Sequence, residues 1–145
     1  MARFLLEYAR ADLDIAKTLL DNPDEFWVRG AAFHTQQCIE KTFKQVLMDC
    51  GVTPRKSHVF RLLLEELPEW QNIISTEHLD YLQDNSDRFT NWATEIKYSQ
   101  SYITTRREVL RVMKFAEEFY NAVAVVLNAP VDAESKPTID RMKLD

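Results

Sequence analysis

Glycine is nearly absent from this sequence, which contains only Gly30 and Gly51. A β-rich domain of this size needs many tight turns, and tight turns draw heavily on glycine because it tolerates positive φ angles. The 5 prolines fall mostly near the ends of predicted elements. The scarcity of glycine therefore favours a fold made of a few long helices.

Cysteine is scarce as well, with only Cys38 and Cys50 in the chain. Both fall in one predicted helix, where they would lie roughly 18 Å apart along the axis, too far for a disulfide. We interpret them as small buried apolar residues. The 3 histidines are spread widely and lack the spacing of metal ligands, so we predict no metal site and no cofactor.

Long hydrophobic runs and a basic charge balance are absent too. No stretch approaches the roughly 18 consecutive apolar residues of a membrane span, and the N-terminus lacks the apolar core of a signal peptide, so we expect a cytoplasmic protein. The net charge of −5 gives no support for nucleic-acid binding. With 145 residues, 46% of them hydrophobic, the chain suits one domain with a sizeable core.

What the sequence does contain is a long amphipathic helix, predicted over residues 26–51. At about 100° per residue, seven side chains fall within about 60° of one direction. They are Val28, Ala32, Thr35, Ile39, Phe43, Val46 and Cys50. Phe33 and Leu47 interrupt the polar strip on another side, so this helix is expected to have several neighbours. Asp24 is placed to cap its start and Gly51 its end.

Helical periodicity recurs along most of the chain. The predicted helices span residues 3–20, 26–51, 59–67, 77–93 and 106–127. In the first of them, polar residues including Asp12 are expected on the outer side. Ser57, Thr76 and Thr105 are candidate N-caps of the last three, and Thr105 with Glu108 forms a capping box. Residues 94–102 lack a period and are predicted to be an ordered loop rich in aromatics.

These elements predict an all-α fold. Four main helices with short connections suggest an up-down-up-down four-helix bundle with one extra short helix. The bundle occupies residues 1–127 as one domain. Residues 128–145 have no period and contain 2 of the prolines, so we predict a loose C-terminal tail that is free or docks on a partner.

Two blocks of sequence carry a more specific pattern. The first, residues 31–44, reads AAFHTQQCIEKTFK. The second has Gly51 and Pro54, then Ser57-His58 before a leucine run. In this order and spacing, the two blocks resemble the HEPN domain family. Two departures stand out: Val59 follows His58 where the family often has aspartate, and residues 97–99 read KYS where it often has Arg-Tyr-Pro.

The resemblance has implications for fold and partners. It implies a four-helix bundle that is commonly a homodimer and is often encoded beside a minimal nucleotidyltransferase. It also implies similarity to the substrate-binding half of aminoglycoside nucleotidyltransferases, and nucleotide binding was proposed for the family on that basis. A separate branch contains ribonuclease toxins with an Arg-x(4–6)-His motif at the end of the fourth helix.

Three polar residues, Gln37, Glu40 and Lys44, form one line on the long helix. One interpretation is pairing of Glu40 with Lys44 on a wet surface, which is worth about 0.3–0.5 kcal/mol. A second is a polar groove or a dimer seam with paired glutamines. A third is a contact with a nucleotide or another substrate. We keep all three residues as candidate ligand-binding residues.

Four further candidates lie outside the long helix. His58 is expected to tie down the loop after Gly51, or to meet an anionic ligand together with Arg55 and Lys56 at a helix start, which favours anions. Lys97 and Tyr98 are candidates because they occupy the Arg-Tyr-Pro position of the family, and Tyr98 could stack on a base or pack on the bundle. His78 is expected to be a solvated residue of an acidic helix.

The sequence also has one formal match to the ribonuclease motif, Arg29 and His34. The pair lies on the second helix rather than the fourth, and the two side chains are predicted on well-separated sides of it. We therefore expect His34 to be a structural hydrogen-bonding residue and predict no catalytic residue. Arg88 has no histidine in the six residues after it.

Together with these residues, the resemblance implies a non-catalytic accessory subunit. It would bind a nucleotide or a substrate for a separately encoded nucleotidyltransferase, as a homodimer. The alternatives are a ribonuclease toxin of a toxin–antitoxin pair and a protein-interaction module without a small ligand. The prediction leaves open whether the chain is itself an enzyme. The absence of an Arg-x(4–6)-His motif from the fourth helix argues against enzymatic activity.

Overall fold

The computed structural model describes residues 4–98 and 104–127, and this part of the chain is helical without strands. The elements are α1 (Phe4–Asp21), a 3-10 turn (Glu25–Trp27), α2 (Val28–Asp49), α3 (Phe60–Leu64), α4 (Thr76–Asp84), α5 (Ser86–Tyr98) and α6 (Arg106–Val126). The predicted tail, 128–145, and residues 99–102 at the end of the predicted loop lie outside the described residues. Among the helices that are described, none combines the length and the apolarity needed to cross a membrane.

Long-range hydrogen bonds give the directions of the main helices. Arg106, at the start of α6, donates to the carbonyl of Leu20 at the end of α1, 2.5 Å away. Arg29, at the start of α2, donates to the carbonyl of Ile96 near the end of α5. Both helix pairs are therefore antiparallel, as are α1 and α2 across their short turn. The predicted up-down-up-down bundle of α1, α2, α5 and α6 is confirmed, with α3 as a short addition that packs on α5.

Helix α2 lies at the centre of this bundle and packs against α1, α5 and α6. Its predicted stripe is buried from Val28 to Val46, and only Cys50 at the end is half exposed. Leu47, on another side, is fully buried too. Each large apolar side chain buried in this way contributes roughly 1.5–3 kcal/mol relative to exposure, so α2 contributes substantially to the stability of the core.

The predicted cap at the end of α2 is confirmed, whereas the predicted cap at its start is displaced, because the N-cap residue of α2 is Trp27 and makes no side-chain capping bond. Asp24 accepts a hydrogen bond from the amide of Phe26 at 2.9 Å and so caps the 3-10 turn that leads into the helix. Gly51 has a φ of 83° after the last turn. Val52 donates to the carbonyl of Leu47 at 2.9 Å and Gly51 to that of Met48 at 3.0 Å, the bonding pattern of a Schellman cap.

The predicted helix over residues 77–93 is wrong in its extent. The chain forms two helices there, and α5 continues to Tyr98, through much of the predicted loop. They separate at Asn85, whose side-chain amide donates to the carbonyl of Tyr81 at 2.9 Å. Such local side-chain bonds compete with the helical ladder. Ser75, rather than Thr76, caps α4 by accepting from the amide of His78.

Helix α3 is shorter than predicted, and Ser57 does not cap it. The Ser57 hydroxyl accepts from the amide of Val59 at 3.0 Å, within the loop. The first amide of the helix, that of Phe60, instead donates to the hydroxyl of Thr90 on α5 at 2.9 Å. A side chain distant in sequence thus does the capping, which a local pattern could not reveal. At α6 the predicted cap holds, because Thr105 accepts from the Glu108 amide at 3.1 Å.

Candidate functional site

A buried carboxylate, Glu40 on α2, organises the most polar cluster near the predicted ligand residues. Its side chain is 3% exposed. The side-chain amide of Gln36 donates to it at 2.8 Å and the ammonium of Lys44 at 2.9 Å. The Nδ1 atom of His58 lies 3.3 Å from the carboxylate, so the loop after α2 is tied back to the helix. Three partners from two segments therefore surround one negative charge.

Gln36 connects this cluster to the candidate Gln37. The side-chain amide of Gln37 donates to the Gln36 side-chain oxygen at 2.6 Å, and Gln36 in turn donates to Glu40. Gln36 is fully buried and was not among the predicted site residues. The sequence did place Gln36 on the polar side of the long helix, but that position alone does not show whether a polar side chain is buried.

In this cluster the carboxylate of Glu40 is buried, whereas the nitrogen-bearing side chains of Lys44 and His58 reach the surface. A buried carboxylate is costly unless it is paired, and Lys44 provides the compensating charge. The predicted pairing of Glu40 with Lys44 is present, but its setting on a wet surface is wrong, because Glu40 is buried. His58 has a side chain that is 55% exposed and Lys44 one that is 19% exposed. The accessible part of the cluster therefore offers nitrogen donors, which suit an anionic ligand.

The other predicted ligand residues do not join this cluster in the same way. Arg55 is held by Glu66, with its Nε atom 3.6 Å from the carboxylate and its amide donating at 3.3 Å. Lys97 and Tyr98 close α5, beside Ile96, whose carbonyl bonds to Arg29. Along α2, Arg29 is about 16 Å from Glu40. The backbone of Lys97 and Tyr98 therefore lies near the opposite end of α2, and their side chains are outside the described part.

A second polar cluster joins α1 to α2 around Asp12. His34 Nδ1 lies 2.8 Å from one carboxylate oxygen and Lys41 Nζ lies 2.5 Å from the other. Asp12 is buried at 6% exposure, so its expected position on the outer side of α1 is wrong. The prediction that His34 is a structural hydrogen-bonding residue agrees with this contact. The reason that Asp12 was misplaced is that its partners lie on another helix.

The formal ribonuclease pair is not assembled. Arg29 donates to the Ile96 carbonyl on α5, whereas His34 bonds to Asp12 on α1. The two side chains thus contact different neighbouring helices. A cation and a general base that act on one 2′-hydroxyl must converge on it, and these two residues diverge.

His78 differs from its predicted solvated state. Its ring packs edge-on against Phe115 at 5.6 Å and Phe119 at 5.8 Å between centroids. The expectation was wrong because the acidic residues around it on α4 gave no sign of the aromatic face on α6. His78 therefore belongs to the packing between these helices.

The two cysteines have different environments. Burial raises the pKa of the Cys38 thiol to about 12, with Asp12 acting in the same direction. Cys38 is fully buried, as predicted. Burial and the neighbouring Asp49 raise the pKa of Cys50, which is half exposed. Across residues 4–98 and 104–127, no group of His, Cys, Asp and Glu side chains could hold a metal ion.

With this geometry in place, the chain can be compared with known proteins. The model of the HEPN domain family matches residues 2–126. The chain belongs to the HEPN domain family. This HEPN domain is also 36% identical over 72 residues to a protein of Methanocaldococcus jannaschii named "Putative toxin MJ1304". That match covers 46% of the chain and 43% of the relative, so it spans less than half the length of either. No solved structure is significantly similar to the chain.

The two departures of this HEPN domain from the family pattern lie apart from each other. Val59 is the N-cap residue of α3, is 37% exposed and makes no side-chain capping bond. Of the second departure, Lys97 and Tyr98 end α5, beside the start of α2, and residue 99 lies outside the described residues. The first departure therefore sits next to His58 and the Glu40 cluster, and the second does not.

Proposed function

We propose that this HEPN domain is a non-catalytic accessory subunit that binds a nucleotide, or another anionic substrate, for a separately encoded nucleotidyltransferase. The observation that carries the proposal is the buried Glu40, which holds Lys44 and His58 at the surface. Homodimer formation and the transferase partner are supported by the family resemblance alone.

The chemistry of the Glu40 cluster favours an acceptor as its ligand. The carboxylate is already hydrogen-bonded to donors of its own chain. An ammonium has three N–H groups, so Lys44 keeps donors beyond its contact with Glu40, and the second ring nitrogen of His58 donates to a ligand when the ring is protonated. A phosphate group offers several charged acceptors and forms strong bonds with such nitrogens. Glu40 acts in this proposal as a positioning residue for Lys44 and His58.

Calorimetric titration with the common nucleoside mono-, di- and triphosphates tests this role. Saturable binding is expected, and it should weaken about tenfold in Lys44→Ala, since a hydrogen bond to a charged group is worth about 1.5–3 kcal/mol. Arg61→Ala is the matched control, because Arg61 is an exposed cation that bonds only to Glu65 among the described contacts. Silence with every nucleotide would overturn nucleotide binding and leave the interaction module.

The transferase partner has its own test. A small nucleotidyltransferase reading frame next to the gene for this chain is expected, and its product should copurify with the chain after co-expression. Its absence from the neighbourhood, together with independent purification of the two proteins, would contradict the accessory role.

A second candidate function, a toxin, is favoured by one observation, the name of the M. jannaschii relative. Growth arrest on induced expression in bacteria, with cleavage of purified RNA, would support it. The divergence of Arg29 and His34 is evidence against that pair as its centre. RNA cleavage that persists in Arg29→Ala and in His34→Ala would place the activity elsewhere in the chain.

A further inference from the structure

Helix α1 carries two apolar faces, and the bundle covers only one of them. The inner face packs against α2 and α6. Its buried members recur at alternating intervals of three and four residues, and they are Leu6, Ala9, Leu13, Ala16 and Leu20. A second row on the opposite side of the helix, the outer seam of α1, has the same alternation. Its members are Phe4, Tyr8, Ala11 and Ile15.

All four side chains of the outer seam are exposed to solvent. Phe4 is 47% exposed, Tyr8 58% and Ile15 42%. The rings of Phe4 and Tyr8 meet edge-on with their centroids 6.4 Å apart, so they form a continuous surface. Single exposed apolar side chains are common on proteins, whereas a row of them along one helix face indicates a contact surface.

The spacing of the outer seam specifies a helix as its complement. Apolar residues at alternating intervals of three and four form the stripe by which two helices pack side by side at about 20°, with their side chains interleaved. The seam is roughly 16 Å long, which corresponds to about three helical turns. Its complement is therefore a helix of at least that length with an apolar stripe of its own.

The edge of the outer seam that faces α6 is acidic. Three exposed carboxylates lie along it at intervals of seven residues, and they are Glu7, Asp14 and Asp21. The neighbouring cations on α1 are engaged with α6, because Lys17 pairs with Glu117 and Arg10 hydrogen-bonds to Tyr120. This edge therefore keeps an excess of negative charge at the surface.

The opposite edge of the outer seam, beside α2, is close to neutral. The Nζ atom of Lys41 lies over the Tyr8 ring, 6.0 Å from its centroid. The charge of Lys41 is matched by Asp12, with which it forms an ion pair. The acidic edge thus determines the field along the seam, and a complementary helix carries Lys or Arg at the positions that flank its apolar stripe.

The acidic edge also distinguishes a helix of another protein from a second copy of α1. In an antiparallel pair of α1 helices, equivalent flanking positions of the two seams face each other. The carboxylates of one copy would then face those of the other copy, and such contacts between like charges disfavour the pairing. A second copy of α1 is therefore a poorer complement than a cationic helix.

We propose that the outer seam of α1 binds a cationic amphipathic helix of another protein. The apolar stripe of that helix packs on Phe4, Tyr8 and Ile15, and its Lys or Arg side chains pair with Glu7 and Asp14. The seam shares no residue with the Glu40 cluster, so this proposal does not depend on nucleotide binding.

Fluorescence anisotropy with two labelled synthetic peptides tests the proposal. Both peptides have leucine at alternating intervals of three and four, and the flanking positions carry lysine in one and glutamate in the other. The lysine peptide should bind the full chain saturably, and the glutamate peptide at least about tenfold more weakly. Binding of the lysine peptide should weaken between about 0.05 M and about 0.5 M salt, because the charges are exposed and screened.

The apolar contact is tested by Tyr8→Ser/Ile15→Ser, which should weaken the lysine peptide at least about tenfold, since two side chains of the seam are removed. Leu110→Ser/Val125→Ser is the matched control. It removes two apolar side chains of similar exposure, 52% and 55%, from α6, and the affinity should stay that of the native chain. Unchanged circular dichroism verifies that each variant is folded.

The charge contact is tested by Glu7→Gln/Asp14→Asn. This variant should lower the preference for the lysine peptide over the glutamate peptide about fivefold, because the acidic edge is lost. Glu77→Gln/Asp80→Asn removes the same charge from exposed positions of α4 and should leave that preference unchanged. Equal affinity for the two peptides, or equal effects of the seam variants and their controls, would overturn the proposal.

Sedimentation equilibrium shows whether a second copy covers the outer seam instead. The oligomeric state of Tyr8→Ser/Ile15→Ser should be the same as that of the native chain. A native dimer that dissociates in this variant would overturn the proposal, because the seam would then be an interface between two copies of the chain.

Discussion

At the scale of single residues, the structure places a negative charge inside the bundle and surrounds it with donors. Glu40 is 3% exposed and bonds to Gln36, Lys44 and His58. Removing one partner from such a group leaves others unsatisfied in the interior, which costs more than losing a surface pair. The same contacts that position the proposed ligand donors therefore also bear on stability.

Glu40→Gln should lower the free energy of unfolding by about 1–3 kcal/mol, because the neutral amide cannot accept from all three donors and leaves Lys44 without its counter-charge. Urea unfolding followed by circular dichroism measures the change. Glu65→Gln is the control, since the Arg61–Glu65 pair is exposed and should be worth less than about 1 kcal/mol. An equal effect of the two substitutions would show that burial of Glu40 has no energetic weight.

Cys38 should be inert in the folded protein and Cys50 should react first. Burial raises the pKa of Cys38 to about 12, and the thiolate is the reactive form. Reaction with a thiol-specific reagent near pH 8 should therefore label one equivalent, at Cys50, with Cys38 modified only after denaturation. In the unfolded chain the thiol titrates near 9.0. Unfolding then releases a proton between these values, so the contribution of Cys38 to stability falls as pH rises through that window. Rapid labelling of Cys38 in the folded state would contradict its burial.

At the scale of secondary-structure elements, the end of α2 depends on the backbone of one residue. Gly51 has a φ of 83°, and a Cβ added there would meet no atom within 4 Å. The cost of Gly51→Ala is therefore conformational and should be about 1–2 kcal/mol, measured by urea unfolding. Gly30→Ala is the contrasting variant. Its backbone is helical, which favours alanine by about 1 kcal/mol, while the new Cβ would lie 3.1 Å from the flexible end of Leu19.

We expect Gly30→Ala to change stability by less than about 1 kcal/mol, because the gain in helix propensity offsets the tight contact. Gly51→Asn should be milder than Gly51→Ala, since asparagine tolerates the left-handed region better. If Gly51→Ala left the free energy of unfolding unchanged, the left-handed backbone of the Schellman cap would not contribute to stability.

The helix boundaries that the sequence predicts correctly are those set by residues close together in the chain. Periodicity and end signals are local, and they located α1, α2 and α6 within about two residues and identified Gly51 and Thr105 as end residues. The break at Asn85 depends on one side chain that competes with the backbone. The cap of α3 comes from Thr90, thirty positions later. Such distant contacts leave no local periodic signal, so these boundaries were misplaced.

The candidate site shows the same division. The line of Gln37, Glu40 and Lys44 was predictable, because positions three and four apart share a helical face. That Glu40 is buried, that Gln36 relays to it and that Asp12 faces His34 all depend on how α1, α2 and the following loop pack together. Packing between helices decides which polar residues are buried, and the periodicity of one sequence does not show how its helices pack together.

At the scale of the whole molecule, one hydrophobic core joins all the helices. It runs from Leu6 on α1 through Phe43 on α2 to Val123 on α6, and it includes Phe60 and Phe89. The Phe60 ring lies 5.4 Å from Phe43 and 5.3 Å from Phe89 between centroids, so the short α3 is fixed between α2 and α5. A single contiguous core of this kind should make the described part of the chain unfold as one unit.

Trp92 provides a reporter for this cooperativity. It is fully buried on α5, whereas Trp27 is 38% and Trp70 72% exposed. In the variant Trp27→Phe/Trp70→Phe, the fluorescence of Trp92 should report on the core alone. Its change in urea should coincide with the loss of helical circular dichroism, in one transition with a common midpoint, because α5 cannot leave the core without exposing the rings of α2 and α3. An earlier midpoint for Trp92 would mean that the α3–α5 region separates first and that α1, α2 and α6 form a more stable subset.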